Sequence, residues 1–215
     1  MSSFQLGCLC LGAPLIGAVF AYIMAYKDQK AGQWICVNAI AICFLSGCGI
    51  FYKVLKSEFS DSVHLFTWIK AETIRVNWGF LFDSLSTVMI LIVSFISLLV
   101  HIYSVGYMRD EPNKLSFFGH LNLFTFMMIM LVSAPNMLQL FCGWEGVGLA
   151  SYLLIGYWHE KPSATNASIK AFVMNRIGDI GLILALGAIF TLFHSLDFGH
   201  FFFLLREKEF LPQTY

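Results

Sequence analysis

Long apolar stretches separated by short polar connections dominate the pattern along this chain. A helix that crosses a bilayer needs about 20 apolar residues, and six stretches meet or approach that length. We therefore predict an all-α integral membrane protein, a single transmembrane domain in which six spanning helices form one bundle. The predicted spans cover about residues 4–26, 34–55, 80–107, 117–132, 136–158 and 169–194.

The longest polar connection, Lys56 to Gly79, lies between the second and third spans and alternates loosely between two faces. In an extended chain, Leu65 and Ile69 fall on one side and Trp68 falls on the other. A turn near Lys70 to Thr73 would pair the two halves of this segment as strands. We therefore predict a short β-hairpin at the membrane surface between helices 2 and 3.

Local signals place the ends of several predicted helices. Asp83 lies near the start of the third span, where the backbone N–H groups of a helix N-terminus favour a carboxylate. Only about Ser133 to Pro135 separates the fourth and fifth spans, which predicts antiparallel neighbours. In the tail of residues 195–215, the apolar run Phe198 to Leu205 is too short to span. It predicts an interfacial helix or the stump of an interrupted span.

Composition favours a membrane protein and argues against a nucleic-acid-binding protein. Hydrophobic residues make up 58% of the 215-residue chain and charged residues only 12%, against about 25% charged residues in soluble domains. The 13 basic and 13 acidic residues balance, so nothing indicates nucleic acid or an acidic partner. The N-terminus lacks the basic region of a signal peptide, so we expect a mature first span. Basic residues divide equally between the two sides of the predicted bundle, so charge bias assigns no orientation.

The sequence offers no recognisable metal or redox site. The six cysteines lie inside apolar stretches without the spacing of metal ligands, so we interpret them as packing residues. No nucleotide-binding loop, Ser/His/Asp arrangement or pair of haem ligands is visible, so no cofactor and no redox chemistry are expected in this chain. The cysteines are Cys8, Cys10, Cys36, Cys43, Cys48 and Cys142.

Glu145 is the most informative residue, because it is a lone carboxylate near the middle of the apolar stretch Pro135 to Tyr157. A charge at the centre of a spanning helix costs about 2.5–3.5 kcal/mol on insertion scales, and such residues mark ion or proton pathways. Gly143, Gly146 and Gly148 would let neighbouring helices approach closely. Desolvation favours the protonated form of a carboxyl group, and a nearby cation favours the ionised form. A carboxyl group whose cationic partner moves away is therefore a proton site that can be switched.

Other ionisable residues inside the predicted spans are weaker candidates. Arg176 and Asp179 are three residues apart in the sixth span, which places them on one helix face where an internal ion pair can form. Such a pair either belongs to a proton path or only fixes helix packing. His101 in the third span and Lys170 at the start of the sixth are candidate relay residues, with a packing histidine and an interfacial lysine as the alternatives. Trp144 is interpreted as a packing or interface anchor.

Four strings of the sequence together resemble subunit 5 of respiratory NADH:ubiquinone oxidoreductase, complex I. They agree with that family in order and spacing, and they cover most of Asn77 to Phe193. The family is similar to the large subunits of multi-subunit cation/proton antiporters. The strings are NWGFLFDSLS at Asn77–Ser86, VHIYSVGYM at Val100–Met108, GWEGVGLASYLLIGYW at Gly143–Trp158 and MNRIGDIG at Met174–Gly181.

The resemblance implies a role in proton translocation in the membrane arm of the complex. It implies that Glu145 is the membrane-embedded glutamate of the fifth helix and that Arg176 and Asp179 form the charged motif of the sixth. In the family, this glutamate pairs with a lysine on an interrupted seventh helix. Electrons pass through FMN and iron–sulfur clusters to ubiquinone in other subunits. The resemblance also implies an N-terminus on the outer side and a connection Trp158–Ile169 in the matrix or cytoplasm.

The resemblance covers only the N-terminal part of the family pattern. Family members have two inverted repeats, and the lysine-bearing seventh helix and the second repeat have no counterpart in these 215 residues. We expect a split subunit, completed by a second chain that supplies the C-terminal helices, in preference to a truncated product. The other expected partners are the membrane-arm subunits of complex I and membrane lipids. The expected location is the mitochondrial inner membrane or, alternatively, a bacterial plasma membrane.

Two other functions stay open at this point. A structural membrane subunit would hold an assembly together without pumping, although three costly charges inside the spans argue against it. A subunit of a multi-subunit cation/proton antiporter outside complex I would share the same fold. The proteins that co-purify with the chain distinguish complex I from such an antiporter.

Overall fold

The computed structural model describes residues 2–24, 29–57, 61–71 and 75–210. Within these ranges the chain forms seven α-helices and two β-strands, and the strands lie between the second and third helices. The first six helices are long and apolar enough to cross a membrane, judged by length and composition. This confirms the predicted fold class, an all-α membrane bundle with a short hairpin. The elements are α1 (Ser3–Met24), α2 (Gln29–Ser57), β1 (Asp61–Lys70), β2 (Arg75–Phe82), α3 (Ser84–Tyr107), α4 (Lys114–Val132), α5 (Met137–Ile155), α6 (Pro162–Phe193) and α7 (Phe198–Phe210).

The hairpin extends further toward the third helix than the hydrophobic pattern predicts. Phe80 and Phe82 belong to β2 and pack in the core, although their apolar character places them in the third span when the sequence is considered alone. The helix begins instead at Ser84, because Asp83 caps it. The Asp83 carboxylate accepts the N–H of Ser86 at 2.7 Å, and the Ser86 hydroxyl accepts the N–H of Asp83 at 3.0 Å. The predicted place of Asp83 at a helix N-terminus is thereby confirmed.

The two strands pair as an antiparallel sheet, with Asp61 opposite Phe82 and Lys70 opposite Arg75. This confirms the hairpin predicted between helices 2 and 3. The turn predicted near Lys70 to Thr73 falls mainly on residues 72–74, which lie outside the described residues.

Side-chain amides at the start of α5 fasten that helix to the hairpin. Gln139 Nε2 donates to the carbonyl of Gly79 at 2.9 Å, and Gln139 Oε1 accepts the N–H of Gly79 at 3.0 Å. Asn136 Nδ2 donates to the carbonyl of Asn77 at 2.6 Å. The Asn136 side chain also caps α5, because its oxygen accepts the N–H of Gln139 at 2.8 Å. The first turn of α5 is therefore held against β2.

Close contacts at glycine and cysteine positions build the interior of the bundle. Gly143 in α5 approaches α4 so closely that an added Cβ atom would lie 2.7 Å from the Cα atom of Leu131. Cys10 Sγ and Cys43 Sγ lie 3.6 Å apart between α1 and α2, and both residues are buried. Cys8, in contrast, is exposed on the surface of α1. The packing interpretation therefore describes the buried cysteines better than Cys8.

The sixth helix packs along one side of α5 and leaves most of its surface open. Only 6% of its most apolar 18-residue stretch is buried, compared with 44% of the corresponding stretch of α1. Its C-terminal end returns to the start of α5, where the N–H of Met137 donates to the carbonyl of Leu196 at 2.9 Å. The following helix, α7, begins at Phe198, where the sequence predicts an interfacial helix or the stump of an interrupted span.

Candidate functional site

A charged site lies between the middle of α5 and the middle of α6 and consists of Glu145, Arg176 and Asp179. Arg176 Nη1 forms an ion pair with Glu145 Oε2 and lies 3.5 Å from Asp179 Oδ2. The structure thus brings together all three residues that the sequence predicts for proton transfer. Because one guanidinium nitrogen contacts both carboxylates, the two anions share a single cation.

The three side chains of the charged site differ in burial. The exposed fraction is 6% for Asp179 and 22% for Glu145, whereas 48% of the Arg176 side chain is exposed. In the middle of a helix that spans a bilayer, exposed surface faces lipid, protein or a water-filled space. Since a charge against lipid is costly, the open side of Arg176 indicates contact with further protein or with a water-filled space.

Trp144 is a fourth member of this region that the sequence does not reveal. Its indole Nε1–H donates to Asp179 Oδ1 at 2.9 Å, so interpreting it as a packing or interface anchor is incomplete. An indole N–H that is removed from water needs a hydrogen-bond partner. One feature of the sequence points to a polar partner for the indole. Trp144 directly precedes the intramembrane carboxylate Glu145, whereas an anchoring tryptophan lies at the end of a span.

One aromatic ring, that of Phe172, lies against the guanidinium of Arg176. Its Cζ atom lies 4.8 Å from the centre of the Phe172 ring, a cation–π contact that holds the cation without adding a charge. The rings of Phe172 and Tyr152 are in contact, with centroids 5.4 Å apart. Asn175 approaches α5 at Gly148, where an added Cβ atom would lie 3.5 Å from Asn175 Nδ2. The space beside Gly148 therefore admits the polar side of α6.

His101 lies outside the charged site, in a polar cluster between α3 and α4. The side chain is fully buried; its Nδ1–H donates to the carbonyl of Ser97 at 2.8 Å, and its Nε2 accepts from Asn122 Nδ2 at 3.0 Å. These bonds occupy both ring nitrogens of a neutral imidazole. Ser97 Oγ also lies 2.6 Å from Thr125 Oγ1. None of the described contacts of His101 reaches the charged site, and its relay role stays a prediction.

Lys170 lies on the exposed surface of α6. It precedes Arg176 by six residues, which corresponds to about 9 Å along the helix axis. Among the described residues it forms no ion pair. The structure therefore does not bring Lys170 to the charged site, and its relay role likewise stays a prediction.

A cavity of about 490 Å³ opens between the α3–α4 and α5–α6 connections. Trp158 Nε1–H donates to Glu111 Oε1 at 3.2 Å, and Lys161 Nζ lies 5.0 Å from the centre of a Trp158 ring. Burial, together with the nearby charge of Glu111, raises the pKa of the Tyr157 hydroxyl above its usual value. This second polar region lies at the ends of the helices and is not part of the charged site.

Two family models match the chain. The model described as NADH-Ubiquinone oxidoreductase (complex I), chain 5 N-terminus matches residues 68–118. The model described as NADH:quinone oxidoreductase/Mrp antiporter, TM matches residues 134–211. The charged site lies entirely within the second match.

Several curated proteins named NADH-ubiquinone oxidoreductase chain 5 are similar to this chain. Those from Marchantia polymorpha and Triticum aestivum are 41% and 49% identical over 190 residues, which cover 88% of this chain and 28% of each relative. The protein from Chondrus crispus is 44% identical over 209 residues, which cover 94% of this chain and 31% of the relative. The chain therefore spans less than a third of the length of these relatives.

A solved structure of an archaeal respiratory membrane complex, the membrane-bound sulfane sulfur reductase (MBS), contains a chain of similar fold. The TM-score is 0.79 at 18% sequence identity, and the match covers 92% of this chain and 39% of that chain.

The eukaryotic sources of the curated relatives agree with the predicted multi-pass protein of the mitochondrial inner membrane. These matches confirm the resemblance carried by the four sequence strings: the chain belongs to the family of NADH-ubiquinone oxidoreductase chain 5 and matches the N-terminal part of its members.

Proposed function

We propose that this chain is the N-terminal part of a proton-translocating, antiporter-like subunit in the membrane arm of NADH:ubiquinone oxidoreductase. It couples quinone reduction elsewhere in the complex to proton transfer through the membrane. Membership of the family supports this proposal, and so does a charged site in the middle of two helices long enough to span a bilayer.

The observation that carries the proposal is the sharing of one cation by two carboxylates. While Arg176 lies against Glu145, that carboxylate has a counter-charge beside it. A guanidinium that contacts Asp179 alone leaves Glu145 without this counter-charge. In this proposal, movement of Arg176 between the two carboxylates accompanies the transfer of a proton at Glu145. Moving one proton against 100 mV costs about 2.3 kcal/mol, so redox events outside this chain supply the energy.

The chain acts as a subunit of the assembled NADH:ubiquinone reductase and carries no redox chemistry of its own in this proposal. FMN, the iron–sulfur clusters and ubiquinone belong to other subunits. The contribution of this chain is to hold protons at the charged site and to pass them on.

Replacing Glu145 with glutamine is expected to lower NADH-driven proton translocation in membranes that contain the assembled complex. The amide keeps the size of the side chain but cannot take up or release a proton, so we expect the rate to fall by about tenfold or more. Translocation is measured in closed vesicles with a pH-sensitive dye, together with NADH oxidation and the amount of assembled complex. Glu160→Gln, at an exposed position in the α5–α6 connection, is the matched control. Unchanged translocation in a fully assembled complex would favour a structural, non-pumping subunit instead.

We further propose that a second chain supplies the C-terminal helices of the family and packs against α6. The open surface of α6 supports the presence of such a partner, because only 6% of the most apolar 18-residue stretch of this helix is buried. The half-exposed side chain of Arg176 lies on the same helix. A neighbouring helix would separate this charge from lipid. Other membrane-arm subunits and membrane lipids complete the surroundings of the chain.

Native-gel separation of detergent-solubilised membranes, followed by mass spectrometry, tests this partner. We expect the chain to migrate in a large NADH-oxidising assembly beside a chain that carries the remaining helices. Migration with small antiporter subunits would instead place it in a cation/proton antiporter, an alternative that the description of the second family model also fits. A single polypeptide that contains both this sequence and the remaining helices would contradict the split.

A further inference from the structure

We infer that Trp144 is a positioning residue of the charged site: its indole N–H holds the Asp179 carboxylate and thereby leaves Arg176 to Glu145. The inference rests on the proposed function and adds to it a residue that carries no proton. Trp144 acts through its neighbours and does not itself contact the proton that is moved.

The geometry assigns a different donor to each oxygen of Asp179. Trp144 Nε1–H donates to Oδ1 at 2.9 Å, whereas Arg176 Nη1 lies 3.5 Å from Oδ2. The bond from the neutral indole is therefore shorter than the contact with the cation. The Asp179 side chain is only 6% exposed, so it depends on donors that the protein supplies.

Both carboxylates contact Arg176 Nη1, so the position of this nitrogen decides how near the cation lies to each of them. A carboxylate that accepts a hydrogen bond from a neutral donor is partly stabilised and needs less from a cation. The Trp144 bond therefore reduces the demand of Asp179 on the cation and favours the observed arrangement, in which Arg176 pairs with Glu145 and lies 3.5 Å from Asp179 Oδ2. Without the indole N–H, we expect the guanidinium to shift toward Asp179.

The described contacts of Trp144 give the polar edge of its ring a specific partner. The residue is 49% exposed and lies beside the buried Asp179. An indole N–H away from water requires an acceptor, and Asp179 Oδ1 is that acceptor here.

The variant Trp144→Phe tests the inference, because it keeps an aromatic ring and removes the donor. In membranes that contain the assembled complex, we expect the rate of NADH-driven proton translocation to fall by about threefold or more, as for the loss of one hydrogen bond of typical net strength. Trp144→His keeps a nitrogen at the equivalent ring position and is expected to retain about half of the rate or more. Trp158→Phe is the matched control, because it removes an indole donor to Glu111 outside the charged site, and it should leave the rate unchanged.

The Asp179→Asn background separates positioning from packing. If Trp144 acts through the charge of Asp179, adding Trp144→Phe to Asp179→Asn causes no further loss. The same fold loss in both backgrounds would overturn the inference, because the ring would then act independently of the carboxylate. An equal loss in Trp144→Phe and Trp144→His, whether in assembly or in translocation, would overturn it as well. Assembly that fails with phenylalanine and returns with histidine supports it.

Glu145→Gln, measured in parallel, separates this inference from the proposed function. If Glu145→Gln lowers translocation and Trp144→Phe does not, the inference fails and the proposed function stands. If neither variant lowers translocation, the proposed function fails and the inference falls with it.

Discussion

Replacing Arg176 with methionine is expected to destabilise the protein by about 1–3 kcal/mol, which is less than for one partner of a fully buried ion pair because 48% of the Arg176 side chain is exposed. Methionine keeps an apolar stem and removes the cation that Glu145 and Asp179 share. Within the described residues both carboxylates would then lack an ion-pair partner in the middle of two spanning helices. A carboxylate without a counter-charge is costly in that position. The loss is measured as the amount of chain in the assembled complex and as the midpoint of its thermal unfolding in detergent.

Two further variants test the electrostatic reason for this loss. Arg176→Lys keeps the positive charge and is expected to retain most of the assembly, although it lacks the planar fork of arginine. The triple variant, Arg176→Met with Glu145→Gln and Asp179→Asn, removes all three charges. It is expected to assemble better than Arg176→Met alone and still fail to translocate protons. Equal instability of the single and triple variants would contradict the shared-cation explanation, since packing on Phe172 would then account for the loss.

Replacing Gln139 with leucine is expected to loosen the hairpin from α5. The side chain satisfies both the N–H and the carbonyl of Gly79, so leucine leaves two buried backbone groups without partners, at a cost of about 1–3 kcal/mol each. Gln139 is 0% exposed, and water therefore does not replace the amide. The measurements are the thermal unfolding midpoint in detergent and hydrogen exchange of the Gly79 amide, which reports local opening.

Gln33→Leu is the matched control for this substitution. Gln33 is also buried in an apolar helix, but its Nε2 has no hydrogen-bond partner within the described structure. Leucine at that position is therefore expected to leave stability unchanged or to raise it slightly. An equal loss of stability at Gln33 and Gln139 would indicate that side-chain shape, and not the bonds to Gly79, accounts for the effect.

The spans were predictable from the sequence because a bilayer imposes a minimum length of apolar helix. The hairpin was predictable too, since its apolar and polar positions alternate with the period of a strand. Its extent was not predictable. Phe80 and Phe82 fit a buried strand and an apolar helix equally well, and the pairing of Phe82 with Asp61 in β1 decides between them.

The charged site was predictable as a set of costly residues but not as a set of contacts. Glu145, Arg176 and Asp179 stand out because a charge inside an apolar stretch is expensive. The contact of Arg176 with Asp179 follows from their three-residue spacing, whereas Arg176 and Glu145 are 31 residues apart and meet only when two helices pack. The hydrogen bond of Trp144 is not predictable from the sequence, because tryptophan is common at membrane interfaces for other reasons. No local spacing encodes its bond to Asp179, 35 residues away.

The amides that fasten α5 to the hairpin fix that end of the helix, so a tilt of α5 would pivot there. Glu145 lies about 9 Å along the axis from Gln139, whereas Gly156 at the far end lies about 25 Å away. A tilt about the pivot therefore moves Gly156 almost three times as far as Glu145. Glu145 thus lies on the part of the helix that moves less, close to the attached end. A tilt that moved Gly156 by about 3–6 Å would therefore shift Glu145 by about 1–2 Å. A shift of that size is enough to form or break an ion pair.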